Sequence, residues 1–136
     1  MDWAQRAAEL SHARRLHVGA VIVKDDTVIS YGYNGMPAGW DNNCEYEHYT
    51  PGTPNDYELK TRPEVLHAES NAISKLARST NSGLNADMFI THSPCLDCAK
   101  LIYQSGIRNV YYRDHYRDSA GIEFLTKSGI EVKMVK

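Results

Sequence analysis

Hydrophobic and polar positions change period several times along the chain. Trp3, Ala7 and Leu10 recur at helical spacing and predict a short amphipathic helix over Asp2–Ser11, followed by a polar, basic stretch, Ser11–His17. The unbroken run Val18-Gly-Ala-Val-Ile-Val23, turn chemistry at Lys24–Thr27 and renewed strand composition over Val28–Tyr33 predict a β-hairpin. From Asn34 to Arg62 no period holds, and Pro37, Pro51, Pro54, Trp40, Tyr46, Tyr49 and Tyr57 are scattered. The expectation there is a long irregular loop, the kind of segment that more often binds than fills. Pro63 is expected to open a helix running to about Arg78, with Leu66, Ala68, Ala72, Ile73, Leu76 and Ala77 on one face.

Met88–Thr91 reads as a short buried strand, and Ser93 as the N-cap of a helix that has Pro94 in its first turn and ends near Ser105, before Gly106. Asn109–Tyr112 is a further buried strand, Ser119–Lys127 a helix, and Ile130–Val135 an alternating strand. This order predicts an α/β fold with a mixed five-stranded sheet, part of it parallel, and helices on both faces. With no internal repeat and no linker, 136 residues suit a single domain over 1–136.

Charge narrows the partners. Lys plus Arg total 15 against 17 Asp plus Glu, a formal net charge of -2, so no global positive field is available to hold a nucleic-acid strand. A single phosphate remains within reach of one or two arginines. Met1–Leu10 carries Asp2, Gln5, Arg6 and Glu9 without an apolar core, and no apolar run approaches the roughly 20 residues of a membrane span, so a cytoplasmic protein with no membrane partner is expected. Cys44, Cys95 and Cys98 cannot all pair with one another, which also favours a reducing compartment, where a close pair suggests metal or redox chemistry.

Cys95 and Cys98 stand three apart at the predicted start of a helix, where one face can present both sulfurs and the helix dipole favours thiolates. His67, on the preceding helix, would be a third zinc ligand. Three protein ligands leave an open position for water, the pattern of a catalytic site; a structural one normally uses four. Glu69 lies two residues beyond His67, about 200° round a helix, which suits a proton carrier and not a ligand. His92 is near enough to the metal loop to line the pocket, and Cys44 with His48 raises the question of a second zinc.

His67-Ala68-Glu69 and Pro94-Cys95-Leu96-Asp97-Cys98 follow the H-x-E and P-C-x-x-C pattern of zinc nucleobase deaminases, and through them the chain resembles the cytidine deaminase superfamily. Val18–Val23, Gly32-Tyr-Asn-Gly-Met-Pro37, His67-Ala-Glu-Ser-Asn-Ala-Ile73 and Cys98–Gly106 resemble its deoxycytidylate (dCMP) deaminase branch. The resemblance implies a three-layer α-β-α fold and one catalytic Zn²⁺ per subunit on His67, Cys95 and Cys98. It implies hydrolysis of dCMP to dUMP and ammonia by zinc-activated water at cytosine C4, with Glu69 as proton shuttle, supplying dUMP for thymidylate synthesis.

For the substrate, the resemblance implies Asn34 on the deoxyribose, Ala68 beside the nucleotide, and Arg15 with Tyr116 and Arg117 around the phosphate; Arg113 is an equal geometric candidate. It further implies a homohexamer activated by dCTP with Mg²⁺ and inhibited by dTTP, with Tyr33 and Gly35 in the regulatory region; the small size and the long irregular segment add the expectation of a pocket or regulatory site completed against a neighbouring subunit. Some relatives hold a second zinc with a cysteine ahead of the first strand, where this chain has Ala13, so Cys44 and His48 lack a full ligand set. Three other readings stay open: a tRNA adenosine deaminase, which would need a basic surface; a cytosine or cytidine deaminase, which needs no phosphate contact; and a non-catalytic zinc-containing nucleotide sensor, which would have no use for Glu69.

Overall fold

The apolar run after Val18 forms the middle of a sheet. In the computed structural model, which describes residues 1–49, 51–52 and 57–136, β1 (Gly19–Lys24) lies antiparallel to both β2 (Thr27–Tyr33) and β5 (Asp87–His92). β6 (Asn109–Asp114) and β7 (Glu131–Met134) extend the sheet in parallel, giving the order β2-β1-β5-β6-β7. Asp25 and Asp26 close the β1–β2 hairpin with φ of 51° and 62°, the left-handed pair whose twist matches that of the strands.

Register places Ala20, Ile22, Met88, Ile90 and Val110 on one face: Ala20 is the direct partner of Ile90, Ile22 of Met88, and Met88 in turn of Val110, while residues two apart on a strand share a face. That face packs against Ala72 and Leu76 of α2 (Ala68–Ala77), Ala99 and Ile102 of α3 (Leu96–Gln104), and Leu125 of α4 (Ala120–Lys127). α1 (Asp2–Ala8) covers the other face at β1. Two glycines mark the close approaches: a Cβ on Gly19 would collide with the Ala4 carbonyl, and one on Gly32 with the Ala68 carbonyl. Gly32 pairs with Ala20 and shares its face, whereas Gly19, next to Ala20 along β1 and paired with Tyr33, points to the other, so α1 and α2 lie on opposite sides of the sheet. The result is the expected α-β-α layering.

Three local expectations need correction. The segment 34–62 contains a second, two-stranded sheet, β3 (Glu45–Tyr49) paired antiparallel with β4 (Tyr57–Thr61), where an irregular loop was expected; Thr50 and residues 53–56, Pro54 among them, lie outside the described residues. Its side chains are almost all exposed, so no buried stripe betrays the strands. α2 begins at Ala68 and not at Pro63, because Leu66 is held extended in a bridge with Gly35 (Gly35 N to Leu66 O 3.0 Å, Leu66 N to Gly35 O 2.8 Å). α3 begins at Leu96 with Cys95 as N-cap, while Ser93 is taken up elsewhere: its Oγ accepts from Tyr116 N at 2.7 Å. Among the described residues no helix is long and apolar enough to cross a membrane.

Candidate active site

Two helix starts face one another across the carboxyl end of β5. His67 is the N-cap of α2 and Cys95 the N-cap of α3, both with extended backbone (φ -80°, ψ 152° and φ -72°, ψ 170°). Neither side chain folds back to cap its own helix, so imidazole and thiol are free to turn toward each other. Cys98, buried in the first turn of α3, joins them: His67 Nδ1 is 3.3 Å from Cys98 Sγ and 3.7 Å from Cys95 Sγ.

The donor set fits zinc on its own geometry. Bonds of about 2.0 Å to imidazole nitrogen and 2.3 Å to thiolate, at tetrahedral angles, put nitrogen and sulfur about 3.5 Å apart. The observed separations bracket that value, and the three donor atoms all lie within 4.8 Å of one another. Unmetallated, the thiols polarise each other. The Cys95 thiol is pushed down to about 4, first by its hydrogen bond with Cys98 and then by His67; Cys98 is pushed up, first by Cys95 and then by burial. Among the described residues no other cluster of three or more His, Cys, Asp or Glu side chains forms.

Glu69, in the first turn of α2, is 5% exposed. Burial pushes its carboxyl up to about 7, against the opposing pull of its own backbone amide and of His67. It lines the same cavity as His67, Cys95 and Ala68.

Arg15, Asn34, His92, Ser93 and Tyr116 line that cavity as well. A shallower groove continues outward from it and shares Arg15, His92 and Tyr116 while adding Arg117 and His115. Arg15 and Tyr116 therefore line both cavity and groove and Arg117 the groove alone, with Tyr116 and Arg117 just past the carboxyl end of β6, where open α/β sheets bind ligands. Arg113 does not join them: its guanidinium is held by Asp114, at 3.0 Å, and by Gln5 Oε1. Tyr33 and Gly35 line neither cavity among the described residues; the Tyr33 carbonyl accepts from Asn71 Nδ2 at 2.7 Å, and Gly35 is occupied by the Leu66 bridge.

Asn34 reaches the cavity wall, but its amide is spent on backbone. Oδ1 accepts from Val18 N at 2.9 Å, and Nδ2 donates to Leu16 O at 2.8 Å. The side chain thus braces the segment carrying Arg15. Two residues unremarked in the sequence also appear on the wall, Glu45 and Thr61. No local signal marks either one, because each acquires its place only through contact with residues some 30 to 46 positions away.

The sequence model of the family described as "Cytidine and deoxycytidylate deaminase zinc-binding region" matches residues 1–114, which include every metal donor. The chain belongs to this deaminase family. The deoxycytidylate deaminase of Enterobacteria phage T4 is 36% identical over 148 residues, covering 85% of this chain and 77% of that protein. That of Mycobacterium phage D29 is 39% identical over 113 residues, 80% of this chain and 87% of the relative. Among solved structures, the dCMP deaminase of cyanophage S-TIM5 in complex with dCMP and dUMP superposes with a TM-score of 0.85 at 39% identity, covering 98% of this chain and 92% of the other. Such agreement across nearly the whole chain extends the kinship from the zinc donors to the entire deaminase fold.

Proposed function

We propose that this chain hydrolyses dCMP to dUMP and ammonia. The observation that carries the reading is one cavity lined together by His67 and Cys95 of the zinc donor set, by the buried Glu69 carboxyl and by the cationic Arg15. Zinc held by His67, Cys95 and Cys98 supplies, when bound, a water acid enough to act as nucleophile near neutral pH. Glu69 delivers a proton to cytosine N3 as the new oxygen bond forms at C4, and then carries a second proton to the exocyclic amine, which leaves as ammonia. Atoms balance as dCMP plus water giving dUMP plus ammonia. Ala68 places its backbone between the donor His67 and the carrier Glu69, beside the pyrimidine. Arg15, with Tyr116 and Arg117, grips the 5′-phosphate, and this separates a nucleotide from a free base or nucleoside. Net charge of -2 supports a mononucleotide over a polynucleotide substrate.

The finer reading carried by the family resemblance is a cytoplasmic homohexamer that supplies dUMP for thymidylate synthesis. In it dCTP with Mg²⁺ activates, dTTP inhibits, and the Tyr33–Gly35 turn belongs to the regulatory region.

Ammonia release measured with dCMP, deoxycytidine and cytosine, with and without dCTP plus Mg²⁺ or dTTP, tests substrate and regulation together. Preference for dCMP is expected, and equal rates on the three would overturn the phosphate reading. A rate-against-dCMP curve that dTTP left unchanged would remove the regulatory part. Glu69→Gln should keep its fold and its zinc while losing about 10²- to 10⁴-fold in turnover, the range for general acid–base groups; near-native turnover would remove Glu69 from the reaction.

A further inference from the structure

Arg15 is held from both ends by a single pair of residues. Glu45 and Thr61 are direct partners at the open base of the β3–β4 hairpin, and so project from the same face of that small sheet. The Glu45 carboxylate is 1% exposed and accepts from Arg14 N at 3.0 and 2.7 Å and from Arg15 N at 2.6 Å. Thr61 Oγ1 accepts from Arg15 Nη1 at 3.3 Å. One member of the pair thus fixes where the Arg15 backbone sits, and the other fixes where its guanidinium points.

This arrangement solves an electrostatic problem. A buried carboxylate on the wall of a cavity that receives an anion would repel it. Here two successive backbone N–H groups close around the carboxylate as they would around a bound anion, the Arg14 guanidinium pairs with it at 3.9 Å, and its charge is spent inside the wall. Only Nη1 of Arg15 is used by Thr61; among the described residues Nε and Nη2 have no acceptor, which leaves the planar edge suited to a bidentate phosphate contact.

We propose that Glu45 and Thr61 are positioning residues that aim Arg15 at the substrate phosphate, so that the β3–β4 hairpin sets the preference for nucleotide over nucleoside. The proposal rests on the dCMP reading above and assigns the hairpin a task in it. Neither residue touches the reacting atoms; each acts through Arg15.

The test is the ratio of kcat/KM for dCMP to that for deoxycytidine, measured on the zinc-loaded full chain. Thr61→Val preserves shape and strand propensity while deleting the acceptor, and should lower the ratio about three- to tenfold, mainly through KM for dCMP. Glu45→Gln should lower it further, because it replaces a charged acceptor of two N–H groups with a neutral amide. In an Arg15→Ala background, Thr61→Val should leave the ratio where Arg15→Ala alone puts it, since two residues acting on one contact are not additive. Equal losses on both substrates, or a Thr61→Val effect that persists without Arg15, would overturn the proposal; should Glu45→Gln fail to fold, the Thr61 arm decides alone. A wild-type chain with no preference for dCMP would instead overturn the phosphate reading, and this proposal with it.

Discussion

His67, Cys95 and Cys98 each sit at the start of a helix, where short-range spacing sets them, whereas every contact that fixes Arg15 and its segment reaches across 16 or more residues. His67 and Cys95 are N-caps and Cys98 lies one turn into α3. Arg15 is held by Glu45 and Thr61, and its segment by Asn34, through side-chain contacts spanning three separate parts of the chain. On the dCMP reading proposed above, the chemistry is anchored to the core while the contact that selects the substrate is hung on a small second sheet.

The largest effect is expected at the metal end. Cys98→Ala removes one of three donors from a buried position, where no water-accessible substitute exists. Zinc content should fall well below one per chain, and kcat/KM should drop by about a thousandfold or more on dCMP and deoxycytidine alike, because the several kcal/mol a metal contributes is lost for both. Dialysis of the unaltered chain against a chelator should reproduce the loss, and re-addition of Zn²⁺ should reverse it. A variant that kept stoichiometric zinc and ordinary turnover would show that the donor set is wrong.

The same contrast governs what could be read in advance. His67-x-Glu69 and Cys95-x-x-Cys98 are short-range patterns, and helix geometry carries their spacing directly into space. The five strands of the main sheet were legible for the same reason, since buried runs such as Val18–Val23 advertise themselves. β3 and β4 did not, because Glu45-Tyr-Glu-His-Tyr49 presents no apolar face to a core and is strand only by pairing with β4. Glu45 looked like an ordinary surface charge; the Arg14 and Arg15 amides and the Arg14 guanidinium, all distant in sequence, let it be a buried one. Asn34 was expected on the sugar, and its engagement with Leu16 and Val18 could not be foreseen because both partners are backbone groups.

Asn34→Ala sharpens the comparison at an intermediate scale. It strands the Val18 N–H and the Leu16 carbonyl in a half-buried strip, and each unsatisfied group costs about 1–3 kcal/mol. The urea midpoint should fall by a corresponding amount, with dCMP turnover declining as the Arg15 segment loosens. An unchanged midpoint with reduced binding of dCMP would return Asn34 to the sugar and remove it as a brace.

The smallest effect is expected at Cys44, where the two ends of the molecule meet a third possibility. Cys44 is 1% exposed and packs with Ala13, Val65 and Met36 in a separate apolar cluster, while His48 on β3 is exposed. Burial and the neighbouring Glu45 push the Cys44 thiol up, away from the thiolate a metal requires. Small apolar side chains therefore occupy the place where a second metal would need charged donors. Cys44→Ala should cost about 1 kcal/mol as the loss of one buried sulfur, with zinc content staying at one ion per chain. Two zinc ions in the unaltered chain, falling to one in the variant, would mean that packing around Ala13 had been mistaken for the absence of a ligand set, and that this outlying region is metal-stapled like the centre it was contrasted with.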